Sequence, residues 1–189
     1  MNISPTEAEE ALAAIQSMMQ KTRRAISSSG AYIFLIIWGI IWLLGFLGSQ
    51  FLSPVITGYA WAVLDTLGAI LSAAFGIRMG RGVRSASPGI SGKRIGIFWL
   101  LNFFYCIAVV AVSWPTGGKQ MAMYIILFVM VGWIAMSLLL SFISVLPGLI
   151  LTVLALVGYF LFPGIFYLWM AILGGGGMIA LGLYIRSRW

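Results

Sequence analysis

From Ala31 almost to the C-terminus the chain is apolar, with one charged interruption between Arg78 and Arg94. Stretches of this length with apolar residues on every side read as bilayer-spanning helices, not as alternating strands or the striped helices of a soluble core. Setting aside the first 30 residues and the interruption leaves about 141 residues, and at about 20 per span six helices fit while seven are cramped. The predicted spans are 31–49, 57–77, 95–114, 121–141, 145–162 and 164–185. Their breaks fall at Pro54, Pro115, Pro147 and Pro163, since proline disfavours continuation of a helix through the residue before it. The break at Pro147 is the least marked, because proline can also kink a span. A single helix over 121–162 would be about 63 Å long, roughly twice the hydrocarbon thickness, so two helices are expected.

The six spans read as three out-and-back hairpins, 31–77, 95–141 and 145–185, each with a proline in its outer turn. At an offset of 106 residues, Gly58, Leu67, Gly68, Ala74 and Gly76 match Gly164, Leu173, Gly174, Ala180 and Gly182. Parallel repeats of this kind occur in transporters, and chance matching in so glycine-rich a chain is the alternative. Ahead of the spans, residues 1–30 form a leader and hinge, distinct from the transmembrane domain 31–189. Its Ser4-Pro5-Thr6-Glu7 opening carries a helix-start signature. Ala8, Ala11, Leu12, Ile15, Met18, Met19 and Ile26 then make one apolar stripe. Such an amphipathic helix can lie on the bilayer surface or dock a partner protein through residues 4–26.

Composition places the chain in its class. Hydrophobic residues make up 62% and charged residues 8%, against about 25% charged in soluble domains. A water-soluble fold and a disordered chain are both excluded. The expected fold is an all-α integral membrane protein. With no histidine and one cysteine, neither a Ser-His-Asp nor a Cys-His catalytic set can be assembled, nor a His-ligated haem or zinc. No cofactor or metal is expected, and Cys106 sits in an apolar run as a small buried thiol.

The bases supply a topology. With six spans, Lys21, Arg23, Arg24, Arg78, Arg81, Arg84, Lys93, Arg94, Arg186 and Arg188 all fall on one side, and only Lys119 falls on the other. The positive-inside rule makes both termini cytoplasmic. Retained cytoplasmic bases also account for the net charge of +7, so no nucleic-acid partner is implied. Arg78, Arg81, Arg84, Lys93 and Arg94 flank the cytoplasmic loop and are candidates for binding anionic lipid or a phosphorylated ligand. Tyr59, Trp61, Trp114, Tyr124, Tyr167 and Trp169 lie near outer ends, and Tyr32, Tyr184 and Trp189 near inner ends, as an interfacial belt requires. Trp38, Trp42 and Trp133 lie deeper and read as packing or lipid-facing bulk.

Chemistry within the spans is sparse. Asp65 is the only acid there, and an ionisable group in hydrocarbon costs at least ~2.5 kcal/mol, so it is expected to face the bundle. Asn102, Thr66 and Ser72 are the polar residues expected near it. Two uses fit: a proton or cation site, or a structural hydrogen bond between helices. Gly174, Gly175, Gly176 and Gly177, followed by Gly182, permit close helix approach or an unwound segment lining a cavity.

The segments AIQSMMQKTRRAISSSGAYIFLIIWGIIWLLGF and LWMAILGGGGMIALGLYIRSRW resemble those of uncharacterised bacterial six-helix inner-membrane proteins with a helical leader and a GLYIRxRW-like ending. The likeness covers about a quarter of the chain and implies a bacterial inner membrane, with no activity. The hairpin plan is also similar, in architecture alone, to acid-resistance membrane proteins built of two-helix repeats. The expected function is that of a non-enzymatic accessory or regulatory membrane protein, in lipid and open to homo-oligomers. The alternative is a small channel or carrier for a proton, cation or small solute with Asp65 in its pathway.

Overall fold

The computed structural model describes residues 17, 30–82, 92–114, 117–140 and 145–188. Among these the chain is all-helical, with six helices and no strand. They are α1 Ala31–Phe51, α2 Pro54–Gly82, α3 Gly92–Ser113, α4 Gly118–Leu140 and α5 Leu146–Leu161. The sixth, α6, runs without a break through Phe166–Trp169, a π-helical stretch Met170–Gly176, and Gly177–Arg188. All except α5 are long and apolar enough to cross a membrane. The 16 residues of α5 make about 24 Å, several ångströms less than the roughly 30 Å hydrocarbon core. In the leader only Ser17 is described, and it is helical. The amphipathic stripe of 4–26 lies outside the described residues.

Five of the six helix starts differ by one to three residues from those expected, and at Pro54 the reason is physical. Pro54 opens α2, and Pro147 stands in the first turn of α5. The first turn has no intrahelical partner for its N–H groups, so proline loses nothing there and its fixed φ suits the helix. Proline thus begins α2, where the expected span 57–77 has it precede the helix, while Pro147 falls in the first turn of α5 as it does in the expected span 145–162. At the start of α1, Gly30 takes φ 66°, a left-handed conformation that costs glycine little.

α1 is the hub. It packs against α2 and along the length of α6, while α4 packs on α5 and α3 on α4. The buried core lies where α1, α4, α5 and α6 converge, around Trp42, Phe46, Ile126, Met130, Ala155, Phe166, Met170 and Ala171. α2 and α3 flank this group, one on α1 and the other on α4. Three interhelical turns come together at one end: Lys119 Nζ donates to the Pro163 carbonyl at 2.9 Å, and Gln50 Nε2 to that of Gly164 at 3.5 Å.

Candidate functional site

Helix contact in this bundle rests on glycines set against tryptophans. A side-chain carbon at Gly45 would lie 2.5 Å from the Trp61 ring, one at Gly132 2.9 Å from Trp99, one at Gly148 3.0 Å from Trp133 and one at Gly158 2.5 Å from Trp169. Gly68 is covered by Ile41 and the Trp38 ring. Each glycine removes the atoms that would hold two helices apart, so a large ring can fill the gap. Three of these indoles also bond across helices. Trp38 Nε1 donates to Ser72 Oγ at 3.1 Å, Trp61 Nε1 to Ser49 Oγ at 2.9 Å, and Trp169 Nε1 to the Leu154 carbonyl at 2.9 Å. A buried indole N–H needs such a partner, which fixes the ring as well as filling space.

The seam between α1 and α6 is tighter still, because backbone meets backbone. A carbon added at Gly175 would stand 2.5 Å from Leu43 N and 2.8 Å from the Gly39 carbonyl oxygen. One added at Gly39 would stand 2.9 Å from the Gly175 carbonyl oxygen. Gly182, seven residues on, faces Ile36 and the Tyr32 carbonyl. Gly174 backs onto Trp42 and Met170. Gly177 has open space around it, and Gly176 meets only the Ala171 carbonyl at 4.0 Å. The glycine run is therefore π-helical over Gly174–Gly176, with two of its four members at the seam. Gly39 escaped the sequence reading, since a lone glycine in an apolar run carries no mark of what it faces.

The polar candidates do not converge. Ser72 accepts from Trp38 at the α1–α2 contact. Asn102 Nδ2 donates to the Phe128 carbonyl at 3.2 Å, joining α3 to α4. Thr66 is exposed and bonds back to the Ala62 carbonyl of its own helix at 2.6 Å. Asp65 is exposed as well. It belongs to an exposed flank of α2 beside the face that meets α1, one heptad before Ser72, where the sequence reading has it face the bundle. The contact face of α2 is instead occupied by Trp61, Leu64, Gly68 and Ser72, packed on α1.

Of the basic candidates, Arg78 and Arg94 are exposed. Arg81 lies in α2 and Lys93 in α3, and Arg84 lies outside the described residues. A cleft of about 170 Å³ opens between α4 and α5, lined by Gln120, Met123, Tyr124, Leu127, Leu156, Tyr159 and Phe160. It is smaller than the roughly 300 Å³ at which small-molecule sites begin, and none of the four intramembrane polar candidates lines it.

These features define a multi-pass helical membrane protein whose organised chemistry is helix-to-helix contact. Comparison with protein families, with curated proteins and with solved structures finds no match to the chain.

Proposed function

We propose that the chain is a non-enzymatic accessory protein of the bacterial inner membrane, acting by association with other membrane helices and through its leader. In this reading six helices cross the bilayer. The short α5 does so with local thinning of the lipid, at a cost of fractions of a kcal/mol per ångström of mismatch. Six crossings keep ten of the eleven bases on one side, which makes both termini cytoplasmic. The leader then lies on the cytoplasmic face, available to lipid or to a partner.

The position of Asp65 carries this reading. A carrier holds its titrating acid in a polar path between helices, whereas this carboxyl is on an exposed flank of α2. Ser72 and Asn102 are engaged in bonds that join neighbouring helices, which suits packing better than conduction. Purified protein in proteoliposomes carrying a pH-sensitive dye tests the proposal. Proton and cation flux should stay at the rate of lipid alone for both wild type and Asp65→Asn. Flux that the wild type supports and Asp65→Asn abolishes would overturn it in favour of a carrier.

A further inference from the structure

α2 carries an open groove on the flank that bears Asp65. Gly58, Ala62, Asp65, Ala69 and Gly76 recur at helical spacing on one side of the helix, and all five are exposed. Among the described residues, apart from the helix's own backbone and the adjacent residues, no atom lies within 4 Å of where a side chain would begin at Gly58 or Gly76. Elsewhere in the bundle Gly45, Gly132, Gly148 and Gly158 each receive a tryptophan. Among the described residues nothing of the same chain fills the groove at Gly58 or Gly76, and Ser72, on the same stripe, accepts from Trp38.

α3 carries the opposite shape. Its outer side presents Leu101, Tyr105 and Val112, exposed to 53%, 68% and 89%. At spacings of four and seven residues they form one ridge. Neither the Tyr105 hydroxyl nor the Asp65 carboxyl makes a hydrogen bond among the described residues. Both lie near mid-height. Asp65 follows Pro54 by 11 residues and precedes Arg78 by 13, about 16 and 20 Å along the helix. Tyr105 follows Arg94 by 11 residues and precedes Ser113 by eight, about 16 and 12 Å.

The two helices cross the bilayer in opposite directions, and the two stripes match at four positions. With Asp65 set opposite Tyr105, a step of seven residues outward brings Gly58 opposite Val112. Three outward brings Ala62 opposite Ala108, and four inward brings Ala69 opposite Leu101. At none of these four positions do two bulky side chains meet. In the one chain α2 packs on α1 and α3 on α4, so a second copy is the source of the matching face.

We propose that this protein assembles head to tail in the membrane, the α3 ridge of one copy seated in the α2 groove of the next, with Tyr105 Oη–H donating to the Asp65 carboxyl. The contact rests on the reading of this chain as a helix-associating protein and names its partner. It gives the one intramembrane acid a hydrogen-bond donor and leaves the fold of each copy unchanged. Because groove and ridge are different surfaces, the interface is heterologous and builds rings or chains about an axis along the membrane normal.

Cysteine cross-linking in intact membranes tests it, in a Cys106→Ser background with Gly58→Cys and Val112→Cys on the same chain. Oxidation with copper phenanthroline should give a ladder of dimers and larger species for the double variant, and monomer for either single variant. Monomer throughout would overturn the proposal. Dimers from a single variant would mean that a face meets itself, and an internally linked monomer that the chain closes on its own helices; either result also overturns it. The bond has its own readout in the unsubstituted groove. Tyr105→Phe should weaken association about threefold to twentyfold, the range that interhelical hydrogen bonds in membranes produce, and an unchanged constant would remove the Tyr105–Asp65 bond. Failure here leaves proteoliposome flux unaltered, so it is distinguishable from failure of the accessory reading.

Discussion

Gly175→Ala is the sharpest probe of the α1–α6 seam. The added methyl would lie 2.5 Å from Leu43 N, 2.8 Å from Leu43 Cα and 2.8 Å from the Gly39 oxygen, where carbon is comfortable at about 3.5–4.0 Å. All three are backbone atoms, so no rotamer change relieves the clash and the helices must part by roughly 1 Å. A gap of that size forfeits about a quarter to a half of each dispersion contact along the seam, and overpacking of this kind costs about 1–3 kcal/mol. Alanine recovers about 0.5–1 kcal/mol of helix preference over glycine, so the net loss is about 0–2.5 kcal/mol. Gly177→Ala is the control: with open space at that position, only the gain in helix preference remains. Unfolding of the purified protein in mixed micelles by SDS titration, followed by tryptophan fluorescence, reads both. Gly175→Ala should unfold at lower SDS than wild type and Gly177→Ala at the same or higher. Equal midpoints for the two variants would refute the seam as described.

The remaining predictions concern the indole bonds and the topology. Trp169→Phe leaves the Leu154 carbonyl without its donor and opens space over Gly158, so it should destabilise by about 1–3 kcal/mol in the same titration. A double-mutant cycle of Trp38→Phe and Ser72→Ala should give a coupling of about 0.6 kcal/mol, the mean for hydrogen bonds between membrane helices; additive effects would contradict the 3.1 Å bond between them. In a Cys106→Ser background, Lys119→Cys and Ser187→Cys should label from opposite faces of intact vesicles, and labelling from the same face would break the six-span topology.

Hydropathy made the helical class and the approximate ends of the helices legible, because about 20 apolar residues in a row have one economical use. What it could not show is direction around each helix. In water, one apolar face points inward and announces itself; in lipid, a leucine facing a chain and a leucine facing a protein neighbour are equally content. The GGGG run announced close packing without distinguishing Gly175, at the seam, from Gly177, in the open. The tryptophan–glycine pairs were illegible for the same reason, since Trp99 and Gly132 sit 33 residues apart with no periodicity linking them. Asp65 was readable as exceptional, yet its facing direction was not. The general rule that such a residue looks inward does not say which flank of a helix it occupies.

The same physics decides which exposed features of this protein carry information. α3 has none of its spanning window buried and α2 has 6%, against 33% for α1, α4 and α6. For a soluble protein those figures would mark two sticky helices and a large docking surface. In hydrocarbon they mark nothing, because Val55, Ile70 or Phe103 facing lipid incurs no penalty. A carboxyl does incur one, at least ~2.5 kcal/mol at this depth, and an unbonded phenol adds a smaller cost of the same kind. Exposed apolar area on α2 and α3 is therefore no argument for assembly. The features that favour the proposed assembly are the two exposed polar groups and the steric register that brings one to the other. A neighbouring copy that bonds Asp65 offsets a cost that lipid cannot, which makes the Asp65–Tyr105 pair, and not the apolar faces around it, the feature that selects one register from the many that α2 and α3 could adopt.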